Sequence, residues 1–128
     1  MTEEKRFEIK VKKYLESIGI YPAGFPEDRM SADPIGWYFK VWGGGFQKAG
    51  IPDIICCVSG YFVSIELKAR KGKPTELQEL NTDRVRKSRG EGVILYPSGF
   101  DEFTRKMKLF IKGADWNPVS VVFKRVYK

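Results

Sequence analysis

The chain contains no histidine and only two cysteines among its 128 residues. The missing imidazole excludes serine-histidine hydrolases, HEXXH zinc enzymes and HNH-type nucleases, because each of them needs histidine as a base or a ligand. Cys56 and Cys57 are neighbours, so on a strand they point to opposite faces and cannot complete a four-ligand zinc site. We expect both to be reduced core residues of a cytoplasmic protein.

No apolar run approaches the length of a membrane span, and the amino-terminal residues MTEEKRFEIK are charged from the start. This pattern predicts neither a secretory signal nor a membrane helix. Hydrophobic residues make up 42% of the chain and charged residues 30%, which is the balance of a globular protein. We therefore expect one domain over residues 1–128, without a membrane partner, in the cytoplasm, or in the host cytoplasm if a phage encodes it.

Basic residues outnumber acidic ones by 23 to 16, which gives a net charge of +7. The excess is concentrated between Lys68 and Arg89, a segment that contains eight basic and three acidic residues. Such a local surplus favours a polyanionic partner such as nucleic acid. A solvated helix face is the alternative interpretation of this segment.

Hydrophobic periodicity and turn residues predict an α/β (α+β) fold with a central mixed sheet flanked by helices. We expect helices over residues 2–18, 75–88 and 103–113, the second opened by a Thr75-x-x-Gln78 capping box. Strands are predicted over residues 37–42, 53–58, 61–69, 93–96 and 119–126. Residues 20–36, with three prolines, are predicted to form a loop.

The candidate catalytic residues lie on the two central predicted strands, 53–58 and 61–69. If Ser59 and Gly60 form a two-residue hairpin turn, Asp53 lies directly opposite Glu66 on one face, and Lys68 joins that face. The other face is entirely apolar and should pack against helices; it contains Ile54, Cys56, Val58, Tyr61, Val63, Ile65 and Leu67. Opposed carboxylates repel each other, so this pair requires a cation.

Two cations could satisfy Asp53 and Glu66. Lys68 could form a salt-bridged cluster with both acids, which needs no further function. Alternatively, the two acids and several waters could hold a hard divalent ion, either Mg²⁺ or Mn²⁺. Such a set of oxygen ligands does not suit zinc. The combination with a neighbouring lysine and a basic surface favours metal-assisted phosphodiester hydrolysis.

Ile51-Pro52-Asp53, twelve intervening residues and Glu66-Leu67-Lys68 together resemble the PD-(D/E)XK nuclease superfamily. Residues 43–78 are similar to its VRR-NUC and archaeal Holliday-junction-resolvase branch. The resemblance implies a restriction-endonuclease-like core and a Mg²⁺-dependent DNA endonuclease, with Mn²⁺ substituting. It further implies selectivity for Holliday junctions or other branched DNA, and a homodimer, because cutting a four-way junction needs two active sites.

The same resemblance implies the roles of individual residues. Asp53, Glu66 and the backbone carbonyl of Leu67 would be metal ligands, and Lys68 the catalytic lysine. Glu8 on the first helix would be a further ligand, with Glu4 one turn earlier as its substitute. Gln78 matches a family glutamine and joins the catalytic set, although a capping-box role explains it equally well.

Other bases are candidates for contact with DNA. Lys40, Gln47 and Lys48 border the glycine loop Gly43–Gly45, whose backbone could approach phosphate closely. Arg70, Lys71 and Lys73 belong to the basic segment after the second central strand. The glycine loop lacks the GK[S/T] ending of a P-loop, so no nucleotide cofactor is expected. A catalytically inactive nucleic-acid-binding module and a metabolic protein with a surface ion cluster are the alternative readings.

Overall fold

A computed structural model describes residues 1–42, 49–114 and 122–128 of the chain. Within these residues a six-stranded mixed sheet is flanked by three α-helices. The helices are α1 (Glu3–Ser17), α2 (Glu76–Lys87) and α3 (Phe100–Ala114). The strands are β1 (Ile20–Pro22), β2 (Gly36–Lys40), β3 (Ile54–Val58), β4 (Tyr61–Leu67), β5 (Glu91–Leu95) and β6 (Val126–Tyr127). The predicted mixed α+β architecture is confirmed at this level.

The strands lie in the sheet in chain order, from β1 to β6. The β2–β3 and β3–β4 pairs are antiparallel, whereas β1–β2, β4–β5 and β5–β6 are parallel. At the centre of the sheet, β3 and β4 are joined by a tight turn at Ser59 and Gly60. Both residues have positive φ, 50° and 87°, as a type I′ hairpin turn requires.

The core lies between one face of the sheet and helices α1 and α3. Phe7, Val11 and Leu15 of α1 are buried at helical spacing, and Phe103, Met107 and Phe110 of α3 are buried likewise. The predicted apolar face of β3 and β4 packs into this core, with only Tyr61 partly exposed. This buried face fixes which side of the hairpin carries the acids.

Three predictions of local structure are wrong. Residues 20–22 form edge strand β1 rather than loop, because buried Ile20 and Tyr21 pair with β2. The last strand is only Val126–Tyr127; residues 122–125 are not strand, and 119–121 lie outside the described residues. Cys57 is exposed rather than in the core, because its face of the sheet is left uncovered there, whereas Cys56 is buried as expected.

Helix termini follow the sequence signals closely. Thr2 accepts a hydrogen bond from the backbone N–H of Lys5 and caps α1, and Gly19 with φ of 91° follows its end. The capping box of α2 is complete: Thr75 and Gln78 each accept a hydrogen bond from the other's backbone N–H. No helix of the described residues has the length and apolar character needed to cross a membrane.

Candidate active site

The β3–β4 hairpin brings Asp53 and Glu66 together as the turn arithmetic predicts. Strand pairing runs in register from Val58 opposite Tyr61 to Ile54 opposite Ile65. One step further, the backbone N–H of Leu67 donates a 2.7 Å hydrogen bond to Oδ2 of Asp53. Asp53 is thereby fixed beside the end of β4, next to Glu66.

Glu66 is a buried acid whose carboxylate lacks a full set of partners. Its surface is only 3% exposed, and Oε1 has no hydrogen-bond partner among the described residues. Burial, together with the Asp53 carboxylate beside it, raises the pKa of Glu66 from 4.5 to about 9. The ammonium of Lys68, 3.8 Å from Oε2, acts in the opposite direction without outweighing burial. Without an added cation, the surroundings of Glu66 therefore favour its protonated form.

A buried carboxylate oxygen without a partner is costly for a folded protein unless a cation or donor satisfies it. Asp53 and Glu66 offer only oxygen atoms, which suits Mg²⁺ or Mn²⁺ and excludes a thiolate or imidazole site. These two carboxylates fit a hard cation that retains several waters. In the described part of the chain no group of three or more histidine, cysteine or acidic side chains converges at one point.

Glu8 lies near this pair but is neutralised by lysines. Lys40, Lys5 and Lys12 place their ammonium nitrogens 2.8, 2.9 and 3.1 Å from its carboxylate oxygens. Burial alone would raise the pKa of Glu8, but hydrogen bonds from the three lysines outweigh it and lower the pKa to about 2. Glu8 is thus ionised across the physiological range, and its charge is already balanced.

Lys40 joins the two parts of the cluster. Its ammonium contacts Glu8 of α1 and also lies 3.6 Å from Oδ1 of Asp53. Burial opposes its charge, yet the two carboxylates outweigh burial and raise the pKa of Lys40. In the structure Lys40 therefore contacts the acids Glu8 and Asp53, whereas the sequence suggested that it contacts phosphate. Glu4 of α1 lines a cavity together with Glu8, and its negative charge also raises the pKa of Glu66.

Among the described residues, Gln78, Arg70, Lys71 and Lys73 make no hydrogen bond or salt bridge to Asp53 or Glu66. The Oε1 atom of Gln78 accepts a 2.9 Å hydrogen bond from the backbone N–H of Thr75, so its amide oxygen is occupied by the capping box. Arg70, Lys71 and Lys73 are exposed on the segment between β4 and α2. Gln47, Lys48 and the glycine loop Gly43–Gly45 lie outside the described residues.

Two features of the site were missed in the sequence. Lys5 and Lys12 flank Glu8 at i−3 and i+4, a spacing that places them on one helix face and could have indicated the lysine cluster. The hydroxyl of Tyr96 donates a 2.8 Å hydrogen bond to the carbonyl of Gly72, and Glu3 accepts one of 2.6 Å from the backbone N–H of Arg70. These long-range contacts tether the basic segment to β5 and α1, and no local pattern predicts them.

No protein-family model, curated protein or solved structure matches this chain. The chemistry of the cluster must therefore be inferred from its own atoms. Paired carboxylates, a lysine beside them and an exposed basic segment lie together at the end of β4. Such a set can bind a hard cation and a phosphate group, and can neutralise charge that develops on that phosphate.

Proposed function

We propose that this protein is a Mg²⁺-dependent DNA endonuclease of the PD-(D/E)XK kind. The observation that supports this most strongly is the pairing of Asp53 with buried Glu66, whose Oε1 lacks a hydrogen-bond partner among the described residues. An unsatisfied buried carboxyl oxygen destabilises an unloaded protein, and a cation bound between the two acids would remove that cost. Lys68 beside the pair supports a hydrolytic role rather than a structural one.

Asp53, Glu66 and the carbonyl of Leu67 would hold the ion, and Mn²⁺ would substitute for Mg²⁺. When bound, the ion polarises the phosphate and lowers the pKa of a water. Loading requires Glu66 to release its proton, because a cation binds the carboxylate and not the acid. Lys68 would then stabilise negative charge developing on the phosphate.

The surrounding residues have supporting roles in this proposal. Lys40 of β2 contacts both Glu8 and Asp53, so it links Asp53 to α1. Arg70, Lys71 and Lys73 would contact phosphates along the bound strand, and affinity should fall steeply with salt. Selectivity for branched DNA and a homodimeric assembly remain further parts of the proposal, from the same resemblance.

A catalytically inactive nucleic-acid-binding module is the second candidate. It is favoured by the lysines, since Lys40 and Lys68 already lie within 4 Å of Asp53 and Glu66 respectively. In that case the lysines alone would satisfy the acids, and no divalent ion would be needed. The two candidates agree on DNA binding and differ on hydrolysis.

End-labelled four-way junction, flap, duplex and single-stranded DNA, each incubated with Mg²⁺, Mn²⁺ or EDTA, distinguish the candidates. We expect cutting that requires the divalent ion, and the preferred substrate separates a resolvase from a general nuclease. DNA that is shifted on a native gel but never cut would overturn the nuclease and favour the binding module. If the DNA is neither cut nor shifted, both candidates are excluded.

A further inference from the structure

The sheet face opposite the core carries a row of aromatic side chains. Strand register places Trp37 opposite Cys57, and Cys57 opposite Phe62, so the three residues cross β2, β3 and β4 in one line. Phe39 lies in the next row, opposite Ile55, on the same face. We call Trp37, Phe39 and Phe62 the aromatic platform.

The aromatic platform is open to solvent although its flanks are covered. Trp37, Phe39 and Phe62 are 47%, 43% and 46% exposed. On the β1 side Tyr21 continues the row but is buried, with its ring stacked on Phe25 at 4.8 Å. On the other side α2 covers β4 and β5 and leaves a groove of about 440 Å³ lined by Ile55, Phe62, Arg84 and Val85. An open strip therefore runs between two walls.

Two of the three platform rings are nearly parallel to each other. Trp37 and Phe39 lie parallel, with an interplanar angle of 13° and centroids 6.3 Å apart. The small side chain of exposed Cys57 leaves space between Trp37 and Phe62, which are about 10 Å apart across two strand spacings. Aromatic side chains presented in this way bind unpaired nucleobases, because every base has a π-face.

Charge decides between possible occupants of this strip. Arg84 lines the groove, and exposed Arg89 lies between the groove residues Ser88 and Gly90. The segment between β1 and β2 carries three exposed acids, Glu27, Asp28 and Asp33, and one exposed base, Arg29. The α2 side is therefore the more positive one, so phosphates would follow α2 while bases lie over β2 and β3.

A second copy of the chain fits this face less well than a nucleic acid does. The three aromatic side chains by themselves expose about 300 Å², taking half of a typical aromatic surface for each, against about 800 Å² per partner in a stable interface.

We infer that the aromatic platform binds unpaired bases of single-stranded DNA, with phosphates along Arg84 and Arg89. This inference names a substrate class for the proposed nuclease, namely DNA that contains a single-stranded segment. Along β3, Cys57 and Asp53 lie on the same face four residues apart, which is about 13 Å. A strand held on the platform therefore lies close to the carboxylate pair.

Fluorescence anisotropy of labelled single-stranded oligodeoxythymidylate, measured in EDTA, tests the inference without hydrolysis. Trp37→Ala and Phe62→Ala should each weaken binding at least about fivefold, as loss of one stacked base predicts. The matched control Leu109→Ala removes an exposed apolar side chain from α3 and should leave affinity unchanged. Affinity for blunt duplex DNA should not change in the platform variants, since paired bases cannot stack there.

Tryptophan fluorescence provides a second readout that does not depend on truncating a platform side chain to alanine. Oligodeoxythymidylate should quench the wild-type emission, and Trp37→Phe should abolish most of this quenching while keeping the affinity within about twofold. Unchanged single-strand affinity in Trp37→Ala and Phe62→Ala would overturn the inference. The inference would equally fail if Trp37→Ala and Phe62→Ala converted a dimer to a monomer in sedimentation analysis and had no effect on DNA affinity. If the wild-type protein bound single-stranded DNA in EDTA but cut no DNA with Mg²⁺, the proposed hydrolysis would fail. The inferred binding of bases by the aromatic platform would not be affected.

Discussion

The backbone N–H of Leu67 donates a 2.7 Å hydrogen bond to Oδ2 of Asp53. This contact ties the residue before β3 to the last residue of β4, and so extends the strand register beyond the formal ladder. It holds the Asp53 carboxylate next to Glu66, where both burial and neighbouring charge disfavour a second negative charge. The hairpin itself therefore keeps the two acids of the candidate site close together.

Replacement of Glu66 by glutamine should stabilise the metal-free protein at pH 8 but not at pH 4. A carboxyl whose pKa rises on folding, here from 4.5 to about 9, favours the native state at low pH and loses that contribution as pH rises toward 9. Glutamine resembles the protonated acid and avoids this loss, which should gain about 1–3 kcal/mol at pH 8. Thermal unfolding in EDTA measures the gain. An equal effect at both pH values would show that Glu66 is not a strained acid.

Lys40→Met should make the protein more sensitive to acid. Glu8, with a pKa lowered to about 2, stabilises the fold above pH 4.5 and loses this contribution as pH falls toward 2. Loss of Lys40 removes one of three partners, raises the pKa of Glu8 and shifts the acid unfolding midpoint upward. Circular dichroism across pH 2–6 measures the midpoint. The control is Lys13→Met, which removes the charge of an exposed lysine of α1, and an equal shift there would assign the effect to net charge.

Gln78→Ala should lower the free energy of unfolding by about 1 kcal/mol, because it breaks the capping box of α2. Gln78→Glu preserves the box and should retain wild-type stability. Cleavage by the stable Gln78→Glu variant then tests the catalytic role separately. Loss of cleavage without loss of stability would assign Gln78 to the active site.

Lys68→Met should reduce the single-turnover cleavage rate by about 10²-fold or more, as loss of a group that stabilises transition-state charge does. Its metal affinity should change little, because the lysine is not a ligand in this account. Lys71→Met, three residues along the same basic segment, should weaken DNA binding without this loss of rate. If Lys68→Met cleaved at the wild-type rate, Lys68 would be only a partner for Glu66.

The hairpin could be predicted to the residue because its determinants are local. A two-residue turn at Ser59 and Gly60 fixes the register, and an unbroken apolar face fixes which side is buried. The capping box of α2 is equally local. These local features are sufficient to place Asp53 opposite Glu66 from the sequence alone.

Features that depend on distant packing could not be predicted. Strand β1 contains only three residues and ends in Pro22, so its pairing with β2 leaves no periodic signal. Phe123 and Tyr127 are buried against Phe103 of α3, which draws residues 122–125 away from a regular strand. Likewise, Lys40 meets Glu8 only because α1 packs across the sheet, and this contact changed the interpretation of Lys40 from phosphate binding to support of Asp53.

The most direct test of the central claim is cleavage of labelled DNA by wild type, Asp53→Asn and Asp101→Asn over a Mn²⁺ titration. Asp101 is an exposed acid in the first turn of α3, so its change matches the charge and size of the Asp53 substitution away from the carboxylate pair. The account predicts metal-dependent cutting by wild type and Asp101→Asn, and none by Asp53→Asn. Cutting by Asp53→Asn at the wild-type rate would contradict it.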